Sequence, residues 1–373
     1  MINLIKPGET IGIVGGGQLG QMMALSAKEM GFKVGVLDPV SDCPAAQVVD
    51  WSIVADYEDT SALKELNKRV SVVTYEFENI NAEALKNSVP LHKLPQGIKL
   101  LEISQHRKHE KEFLSEIGVP IAPFFIVTNT DELLEGLNQL SYPAVLKTCQ
   151  GGYDGKGQIV LKSEEDVTEA ISLLTNQVCV LESWISFEME ISVIVSGNAQ
   201  GDYQVFPIPE NIHKNNVLFQ SIAPSRKNKE INGEAEKLAL KIAKELSIQG
   251  VVTIEMFVTK EGEILVNEIA PRPHNSGHFS IEACNISQFD AHIRGICNWG
   301  LPKIYLQQPV IMLNLLGEEM LRSQDYLQEK SDWAFHYYGK SEVKEGRKMG
   351  HITILTSDID KTLQEVEATK IWE

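Results

Sequence analysis

The sequence predicts a mixed α/β and α+β fold, in which a small domain with a parallel sheet precedes a larger part with antiparallel sheets. In the first hundred residues, short apolar runs alternate with stretches of helical periodicity, which is typical of βαβ units. The predicted strands are residues 10–14, 33–37 and 70–75, and the predicted helices are residues 18–30 and 61–67. After residue 121 the apolar runs lengthen and are separated by short turn sequences, as in β-hairpins.

A predicted helix and four predicted hairpins organise the rest of the chain. The helix spans residues 104–117 and is ended by Gly118 and Pro120. A chain of 373 residues usually forms two or three domains, and we expect them at residues 1–103, 104–300 and 301–373. The hairpins pair residues 144–147 with 158–162, 189–196 with 203–207, 251–258 with 263–269, and 333–338 with 351–355.

Composition and charge argue against several classes of protein. Hydrophobic residues make up 43% and charged residues 23%, as in ordinary globular enzymes. The net charge of −17 disfavours a nucleic-acid partner, because binding to a polyanion needs clustered Lys and Arg. The sequence has no signal-peptide pattern and no run of about 18 apolar residues, so we expect a cytoplasmic protein without a membrane partner. Five scattered cysteines without a C-x-x-C pair indicate reduced thiols.

The first glycine-rich loop follows the first predicted strand. Its sequence, Gly15-Gly16-Gly17-Gln18-Leu19-Gly20, with Asp38 ending the next strand, has the form of a dinucleotide fingerprint and would favour an NAD-dependent dehydrogenase. Glycines and a helix N-terminus suit any phosphate, however. If ATP binds elsewhere in the chain, this loop is better assigned to the phosphate of a phosphorylated substrate, and a tight turn without a ligand is the remaining alternative.

A second glycine-rich loop connects the strands of the hairpin at residues 144–162. Residues 151–157 contain four glycines and Lys156, which is more glycine than a hairpin turn requires. Such a loop can close over phosphates, whose charge would meet its N–H groups and the lysine. Lys147, on the preceding strand, would add a point charge to a triphosphate. A flexible surface hairpin is the alternative.

Two glutamates are predicted to face each other across the hairpin at residues 251–269. With a two-residue turn at Glu261-Gly262, Glu255 lies opposite Glu268, and both carboxylates share one face of the sheet. Directly opposed like charges destabilise a sheet and raise a pKa unless a cation lies between them. Because Mg²⁺ is commonly held by one or two carboxylates and substrate phosphates, the pair predicts a magnesium site. Two solvated glutamates are the alternative.

The segment at residues 271–278, which follows this hairpin, is dense in hydrogen-bond donors. It contains Arg272, His274 and His278 and has no regular periodicity. A cationic loop beside a metal would suit an anionic intermediate. The alternative is that both histidines lie on a loop surface, and a zinc site is disfavoured because acidic or thiol partners are missing at the usual spacings.

Four motifs together resemble the ATP-grasp superfamily, and within it the family of N5-carboxyaminoimidazole ribonucleotide synthases. They are GGGQLG at residues 15–20, GGYDGKGQ at 151–158, NEIAPRPHNSGH at 267–278 and GRKMGH at 346–351. The resemblance runs along nearly the whole chain. It implies an ATP-grasp fold with an N-terminal Rossmann-like pre-ATP-grasp domain, a two-lobed ATP-grasp domain and a small C-terminal domain, usually in a homodimer.

The resemblance also implies which residues bind ATP. The backbone of residues 181–185 fits an adenine hinge, and Glu190 would accept from the ribose hydroxyls. Many ATP-grasp enzymes have an Asn two residues after the second metal-binding Glu, whereas this sequence has Ala270, which puts the third protein ligand in doubt. The implied ATP-binding residues are Arg107, Lys147, Gly152, Tyr153, Asp154, Gly155, Lys156, Gly157, Gln158, Glu182, Ser183, Trp184, Ile185, Glu190, His213, Asn267 and Glu268.

The chemistry implied by the resemblance is attack of bicarbonate on the γ-phosphate of ATP, followed by carboxylation of aminoimidazole ribonucleotide. Glu255 and Glu268 would hold Mg²⁺. The implied catalytic residues are Arg272, His274, Tyr153, Asp154 and Lys348. The implied substrate-binding residues are Gly17, Gln18, Leu19, Gly20, Glu76, Arg272, Arg347 and Lys348. Formate-dependent phosphoribosylglycinamide formyltransferase, of the same superfamily, is an alternative, as are an NAD-dependent dehydrogenase and a nucleotide-binding module without catalysis.

Overall fold

The N-terminal segment forms a parallel sheet covered by helices. The computed structural model describes residues 4–152, 156–174, 177–226 and 229–373. The sheet has the strand order β3-β2-β1-β4, and all of its pairings are parallel. Its elements are β1 (Thr10–Val14), α1 (Gln18–Glu29), β2 (Lys33–Asp38), β3 (Trp51–Val54), α2 (Thr60–Arg69), β4 (Val72–Tyr75) and α3 (Ala82–Ser88). The prediction of a parallel βαβ unit is confirmed, but it missed β3 and α3.

The helix predicted at residues 104–117 is present, but it begins three residues later and follows a separate short helix. The structure has α4 (Lys99–Ser104) and α5 (Arg107–Glu116). His106 is extended, with φ −138° and ψ 105°, and the Arg107 N–H donates to the Cys149 carbonyl at 3.0 Å. The prediction of this helix is confirmed over residues 107–116, but its predicted start was wrong, because hydrophobic periodicity carries no information about the long-range bond that precedes α5.

The next segment forms a small antiparallel sheet with the strand order β5-β8-β6-β7. Its elements are β5 (Phe124–Val127), α6 (Thr130–Leu140), β6 (Ala144–Thr148), β7 (Gln158–Leu161), α7 (Val167–Leu173) and β8 (Cys179–Ser183). The predicted hairpin of β6 and β7 is confirmed, with Lys147 opposite Gln158. The second glycine-rich loop therefore connects two paired strands, as predicted.

A large sheet joins the middle and the end of the chain. Its strand order is β14-β13-β9-β11-β12-β15-β17-β16, and β10 pairs with β9. The pairings confirm the other three predicted hairpins, and the strands after residue 300 extend the sheet that begins at β9. The elements are β9 (Phe187–Gly197), β10 (Tyr203–Val205), β11 (Glu210–Lys214), β12 (Val217–Ala223), α8 (Lys229–Glu245), β13 (Gly250–Thr259), β14 (Ile264–Ala270), α9 (Ser280–Ala283), α10 (Gln288–Ile296), β15 (Val310–Leu316), α11 (Glu319–Gln324), β16 (Ala334–Tyr337), β17 (Lys348–Leu355) and α12 (Ile359–Ala368).

The apolar side chains form several connected cores. One packs α8 and α5 against strands β9, β13 and β14, and another packs α10 against α1 and the N-terminal parallel sheet. In the described part of the chain, no helix is both long enough and apolar enough to span a membrane. The packing of α1 against α10 fixes the N-terminal sheet beside the large sheet, and the candidate site lies where these segments meet.

Gly35 offers a test of this packing. A Cβ atom at Gly35 in β2 would lie 2.2 Å from the ring of Trp51 in β3, which packs against the core of the N-terminal segment. Overpacking of this kind costs about 1–3 kcal/mol, so Gly35→Ala should lower the thermal unfolding midpoint. Gly233 in α8 has no atom within 4 Å of an added Cβ, and Gly233→Ala should stabilise the helix by ~1 kcal/mol. Equal midpoints for both variants would contradict the packing described.

Candidate active site

The two glutamates of the β13–β14 hairpin face each other as predicted. Glu255 lies opposite Glu268 in the antiparallel register, so both side chains are on the same face. The turn, however, is a three-residue loop, because Thr259 rather than residue 260 pairs with Glu263. A β-bulge after Glu255 then shifts the register back by one residue. The predicted pairing is right, although the predicted two-residue turn was wrong, since the longer turn and the bulge offset each other.

The paired carboxylates have opposite electrostatic environments. Partial desolvation of its carboxyl group and the charge of Glu255 raise the pKa of Glu268 to about 7, although part of the residue remains open to solvent. For Glu255, burial acts in the upward direction, but the neighbouring His274, whose Nε2 lies 3.0 Å from Glu255 Oε1, lowers the pKa to about 2. Without a cation, the pair is therefore best described as one carboxylate and one carboxylic acid that titrates near neutrality.

The hairpin has the oxygen ligands that a hard divalent cation requires. Two opposed carboxylates repel each other, and a shared Mg²⁺ ion would remove this repulsion. The described residues contain no group of three or more His, Cys, Asp or Glu side chains arranged to hold a metal, so the remaining ligands would be phosphate oxygens and water. Ala270, opposite Thr253, has no ligand atom in its side chain, whereas Asn267 lines the same cavity as Glu255.

This first cavity brings together predicted ATP-binding residues from three strands. It is lined by Glu190, Ile191, Asn211, His213, Glu255, Met256, Phe257 and Asn267. The Glu190 carboxylate forms an ion pair with Nδ1 of His213. Burial lowers the pKa of His213, but the hydrogen bond and the charge of Glu190 outweigh it, and the net shift is upward. A ribose that used Glu190 as an acceptor would therefore compete with this imidazole.

Helix α5 links the small sheet to the carboxylate hairpin. The buried Lys111 donates to the Asn267 carbonyl at 3.1 Å, and Glu110 accepts from the Ile269 N–H at 2.6 Å. Burial and the nearby Glu268 raise the pKa of Glu110 to about 8. Sequence reasoning missed both residues because adjacent acidic and basic residues on a helix usually indicate a solvated surface.

Lys147 points toward the hairpin but is held by a carboxylate of its own sheet. Its Nζ lies 3.3 Å from Glu182 Oε1, and the Nζ of Lys111 lies 3.2 Å from Glu182 Oε2. Although burial acts against ionisation, the two ammonium groups lower the pKa of Glu182 to about 2. Lys147 and Arg107 are also close enough to lower the pKa of Glu268 against its burial. The predicted cations and the predicted metal ligands thus share one region.

Some backbone N–H groups of the predicted adenine hinge already form hydrogen bonds within the protein. The Ser183 N–H donates to the Pro123 carbonyl at 2.9 Å, and the Trp184 N–H donates to the Pro143 carbonyl at 3.1 Å. These two donors are not available to a base edge. The fold therefore uses both of these N–H groups, and the pairing of this segment with a base stays a prediction. The side chain of Trp184 is 45% exposed.

The first glycine-rich loop already holds an anion of the protein. The Gly17 and Gly20 N–H groups donate to Glu76 Oε1 and Oε2, at 2.5 and 2.6 Å. The prediction that a phosphate rests on all of Gly17 to Gly20 therefore needs correction, because Glu76 occupies the position at the helix N-terminus. Gln18 and Leu19 line the adjacent second cavity.

Asp38 does not present its carboxylate as a dinucleotide site would. It accepts from the Gly16 N–H at 2.7 Å and from the Tyr57 hydroxyl at 2.6 Å. Both bonds lie within the N-terminal segment, so the carboxylate is used to brace the loop. This geometry disfavours the dehydrogenase interpretation, which assigns this acid to a ribose hydroxyl.

The second cavity gathers residues predicted to bind the second substrate. It has a volume of about 180 Å³ and is lined by Gln18, Leu19, Glu76, Phe77, Arg272, His274, Asn275 and Lys348. The Arg272 guanidinium binds Glu78 in a fork, with Nε 2.7 Å from Oε2 and Nη2 3.3 Å from Oε1. Glu78 was missed, because nothing local in the sequence pairs it with an arginine 194 positions away.

The basic segment before and within β17 borders this cavity. Lys340, which was not predicted, donates to the Lys348 carbonyl at 2.6 Å, and burial together with Arg347 lowers its pKa to about 8. Arg347 donates to the Glu342 carbonyl at 2.9 Å and is not among the described residues that line the cavity. The structure therefore brings Lys348 to the cavity wall, whereas Arg347 does not line the cavity.

The described part of the second glycine-rich loop lies over Arg107. The Arg107 guanidinium donates to the Thr148 and Gly152 carbonyls, both at 3.4 Å, and the Thr148 N–H donates to the Gly157 carbonyl at 2.9 Å. Lys156 is exposed, and Gln158 begins β7. The predicted residues Tyr153, Asp154 and Gly155 lie outside the described residues.

Comparison with known proteins identifies the family. The models of the ribonucleotide synthetase preATP-grasp domain, the ATP-grasp domain and the phosphoribosylaminoimidazole carboxylase C-terminal domain match residues 8–105, 112–289 and 310–365. The N5-carboxyaminoimidazole ribonucleotide synthase of Bacillus subtilis is 49% identical over 369 residues, which cover 99% of this chain and 97% of that protein. The chain belongs to this family. The predicted ATP-grasp fold with a pre-ATP-grasp domain is confirmed.

Solved structures of the synthase family are similar over the whole chain. The ADP complex of one N5-carboxyaminoimidazole ribonucleotide synthetase is 48% identical, with a TM-score of 0.95, and the match covers 100% of this chain and 99% of that one. The Aspergillus clavatus synthase, solved with ADP and 5-aminoimidazole ribonucleotide, is 31% identical, with a TM-score of 0.90, and the match covers 99% and 98% of the two chains.

The raised pKa of Glu268 gives a test by pH. An acid whose native pKa is about 7 contributes stability that is fully present below its unfolded pKa, ~4.3, and is lost as the pH rises through 7. The side chain of Glu268→Gln stays neutral at every pH. With chelator present, the thermal unfolding midpoint of this variant should therefore exceed that of the native chain by more at pH 8 than at pH 5. Glu261→Gln, exposed in the hairpin loop, is the control. An equal gain from Glu268→Gln at both pH values would contradict the assigned environment.

Proposed function

We propose that this chain is an ATP-dependent carbon–nitrogen ligase that carboxylates 5-aminoimidazole ribonucleotide with bicarbonate. The products are N5-carboxyaminoimidazole ribonucleotide, ADP and phosphate, and the reaction is a step of de novo purine (IMP) biosynthesis. The observation that carries the proposal is the carboxylate pair Glu255 and Glu268, which lies beside the cations Lys147 and Arg107 and beside the cavity containing Arg272. The printed names of the relatives support the choice of substrate.

The ATP site lies between the small sheet and the β13–β14 hairpin. The triphosphate would contact Lys147 and Arg107 on one side and Asn267 on the other, while Ile185 meets the base and Glu190 the ribose. Mg²⁺ held by Glu255 and Glu268 would neutralise charge on the phosphoryl group in transfer. Lys147 is buried at its base and fixed by Glu182, so its ammonium is already oriented before phosphate arrives.

The second cavity takes the acceptor and the activated carboxyl group. A bicarbonate oxygen attacks the γ-phosphorus, the bond to the β-phosphate oxygen breaks, and ADP leaves with that electron pair. The exocyclic amine of aminoimidazole ribonucleotide then attacks the carboxyl carbon of carboxyphosphate, phosphate departs, and the amine loses a proton. Arg272 and Lys348 would stabilise the anionic carboxyphosphate, and His274 would lie at the junction with Glu255. The ribose phosphate would meet Gln18 and Leu19, with Arg347 next to Lys348 in the chain.

The remaining expectations belong to the same proposal. Tyr153 and Asp154 would contact the aminoimidazole from the closing loop, together with Gly155 and Lys156 over the phosphates. Domains at residues 1–103, 104–300 and 301–373 are supported by the three matched segments. A cytoplasmic homodimer is what the family resemblance implies.

Substrate dependence distinguishes this proposal from its alternatives. Release of ADP should require both aminoimidazole ribonucleotide and bicarbonate. It should not occur with formate and glycinamide ribonucleotide, and the protein should not reduce NAD. The measurement is coupled detection of ADP, with absorbance of NADH as the separate readout for a dehydrogenase. ADP release only with the formate mixture would replace the carboxylase by the formyltransferase.

The carboxylate hairpin should separate activity from stability. Glu268→Gln, the variant expected to raise stability at pH 8, should lose nearly all turnover because it removes a charged ligand of the metal–phosphate complex. Glu263→Gln, which changes an exposed glutamate immediately before β14, should retain turnover. The measurement is the initial rate of ADP release at saturating substrates. Wild-type turnover in Glu268→Gln would remove this residue from the proposed site.

A further inference from the structure

A row of polar side chains crosses the interior of the large sheet. On β9, Ser192 lies directly opposite Glu255 of β13, so it shares the face of the carboxylate pair. On the next strand, β11, Asn211 lies opposite Ser221 of β12. These residues are buried, with 0% of Ser192 and Ser221 and 7% of Asn211 exposed. The row therefore runs from the proposed metal site into the core.

The row is connected by hydrogen bonds that run in one direction. The Ser221 hydroxyl donates to Asn211 Oδ1 at 2.8 Å, and Asn211 Nδ2 donates to Ser192 Oγ at 2.9 Å. Ser192 then donates to Ser276 Oγ at 2.7 Å, and Ser276 Oγ lies 2.8 Å from Nδ1 of His274. Each hydroxyl has one proton. Because Ser276 accepts from Ser192, its own proton points to the imidazole.

A backbone donor fixes the same end of the imidazole. The Ser276 N–H also donates to His274 Nδ1, at 3.4 Å, as the cap of the short turn that follows. Nδ1 therefore accepts hydrogen bonds, and the ring proton of neutral His274 belongs to Nε2. Nε2 lies 3.0 Å from Glu255 Oε1. The chain thus ends in an N–H group that donates to one of the two opposed carboxylates.

Burying this polar row costs more desolvation free energy than burying a row of apolar side chains would. The strands around the row have buried apolar side chains, Ile191 and Val193 among them, and an apolar residue at position 192 would avoid the desolvation of a hydroxyl. Buried polar chains are well tolerated when every member is bonded, and then they specify one geometry. The feature that this chain specifies is the orientation and the tautomer of His274.

We propose that Ser276, Ser192, Asn211 and Ser221 are positioning residues, which hold His274 in the Nε2–H tautomer and keep its N–H on Glu255. Asn211 borders the first cavity, whereas the side chains of Ser192, Ser221 and Ser276 line neither of the two cavities described above. The chain acts on the carboxylate hairpin through His274, since hydrogen bonds to a ligating carboxylate fix its orientation. The link to turnover rests on the proposed function, whereas the tautomer does not.

The tautomer can be measured without any substrate. Ring nitrogens of ¹⁵N-histidine give different shifts when protonated and unprotonated, and the chain has only nine histidines. The signals of His274 are assigned by their loss in His274→Gln. We expect an unprotonated Nδ1 and a protonated Nε2 in the native chain, and a larger share of the other tautomer in Ser276→Ala, which keeps only the backbone donor to Nδ1. A protonated Nδ1 in the native chain at neutral pH would overturn the proposal.

Turnover provides the second readout, with a control from the same strand. Losing a direct partner of a metal ligand usually costs roughly 10- to 100-fold in activity. Ser276→Ala and Ser192→Ala act through His274, so each should lower kcat by up to this amount, while the KM for ATP stays unchanged. Ser276→Cys should fall between Ser276→Ala and the native chain, because a thiol is a weak donor. Ser196→Ala is the control, since Ser196 is also on β9 and fully buried but donates to the Ala291 carbonyl.

The outcomes separate positioning from structure. If Ser196→Ala lowers kcat as much as Ser192→Ala, the row serves only the packing of the sheet, and the proposal is wrong. If Ser276→Ala does not fold, Ser192→Ala and Ser276→Cys still report on the tautomer. Should the native chain fail to carboxylate aminoimidazole ribonucleotide, the proposed function fails, but the tautomer measurement keeps its meaning.

Discussion

The opposition of Glu255 and Glu268 across two neighbouring strands is the constraint on which the rest of the site depends. Like charges on directly opposed residues lower the stability of a sheet. The protein must therefore either neutralise one carboxylate or place positive charge near the pair. It does both, because the pKa of Glu268 is raised to about 7, the cations Arg107 and Lys147 lie near Glu268, and the His274 imidazole donates to Glu255. In a chain with a net charge of −17, this local concentration of cations is what allows an anionic substrate to bind.

In three places, a carboxylate of the protein binds the same donor that was predicted to bind an anionic ligand. Glu76 binds the amides of the first glycine-rich loop, Glu78 binds Arg272, and Glu182 binds Lys147. In each pair the carboxylate holds a hydrogen-bond donor in one conformation. The donor therefore loses less conformational freedom when a ligand binds. Glu76 also changes the meaning of the first loop, since the position that a dinucleotide phosphate would take is filled by a side chain.

The sequence could predict features that depend on neighbouring residues and not those that depend on distant ones. Strand alternation and turn residues predicted the β6–β7 and β13–β14 hairpins, and the opposition of Glu255 and Glu268 followed from counting. The three-residue turn and the compensating bulge could not be counted, because both arise from local backbone geometry. The break between α4 and α5, the Arg272–Glu78 pair and the burial of Lys111 depend on contacts with residues far along the chain. Ser192 looked like an ordinary strand residue until its partners were known.

The measurement that tests the central claim most directly is the dependence of nucleotide affinity on Mg²⁺. Titration calorimetry with a non-hydrolysable ATP analogue, in Mg²⁺ and in chelator, should show tighter binding with Mg²⁺ for the native chain. The double variant Glu255→Gln/Glu268→Gln should bind the analogue with the same affinity in both buffers, because the bridging carboxylates are gone while Lys147 and Arg107 remain. A double variant that keeps the full Mg²⁺ dependence would show that the two glutamates do not hold the metal–nucleotide complex.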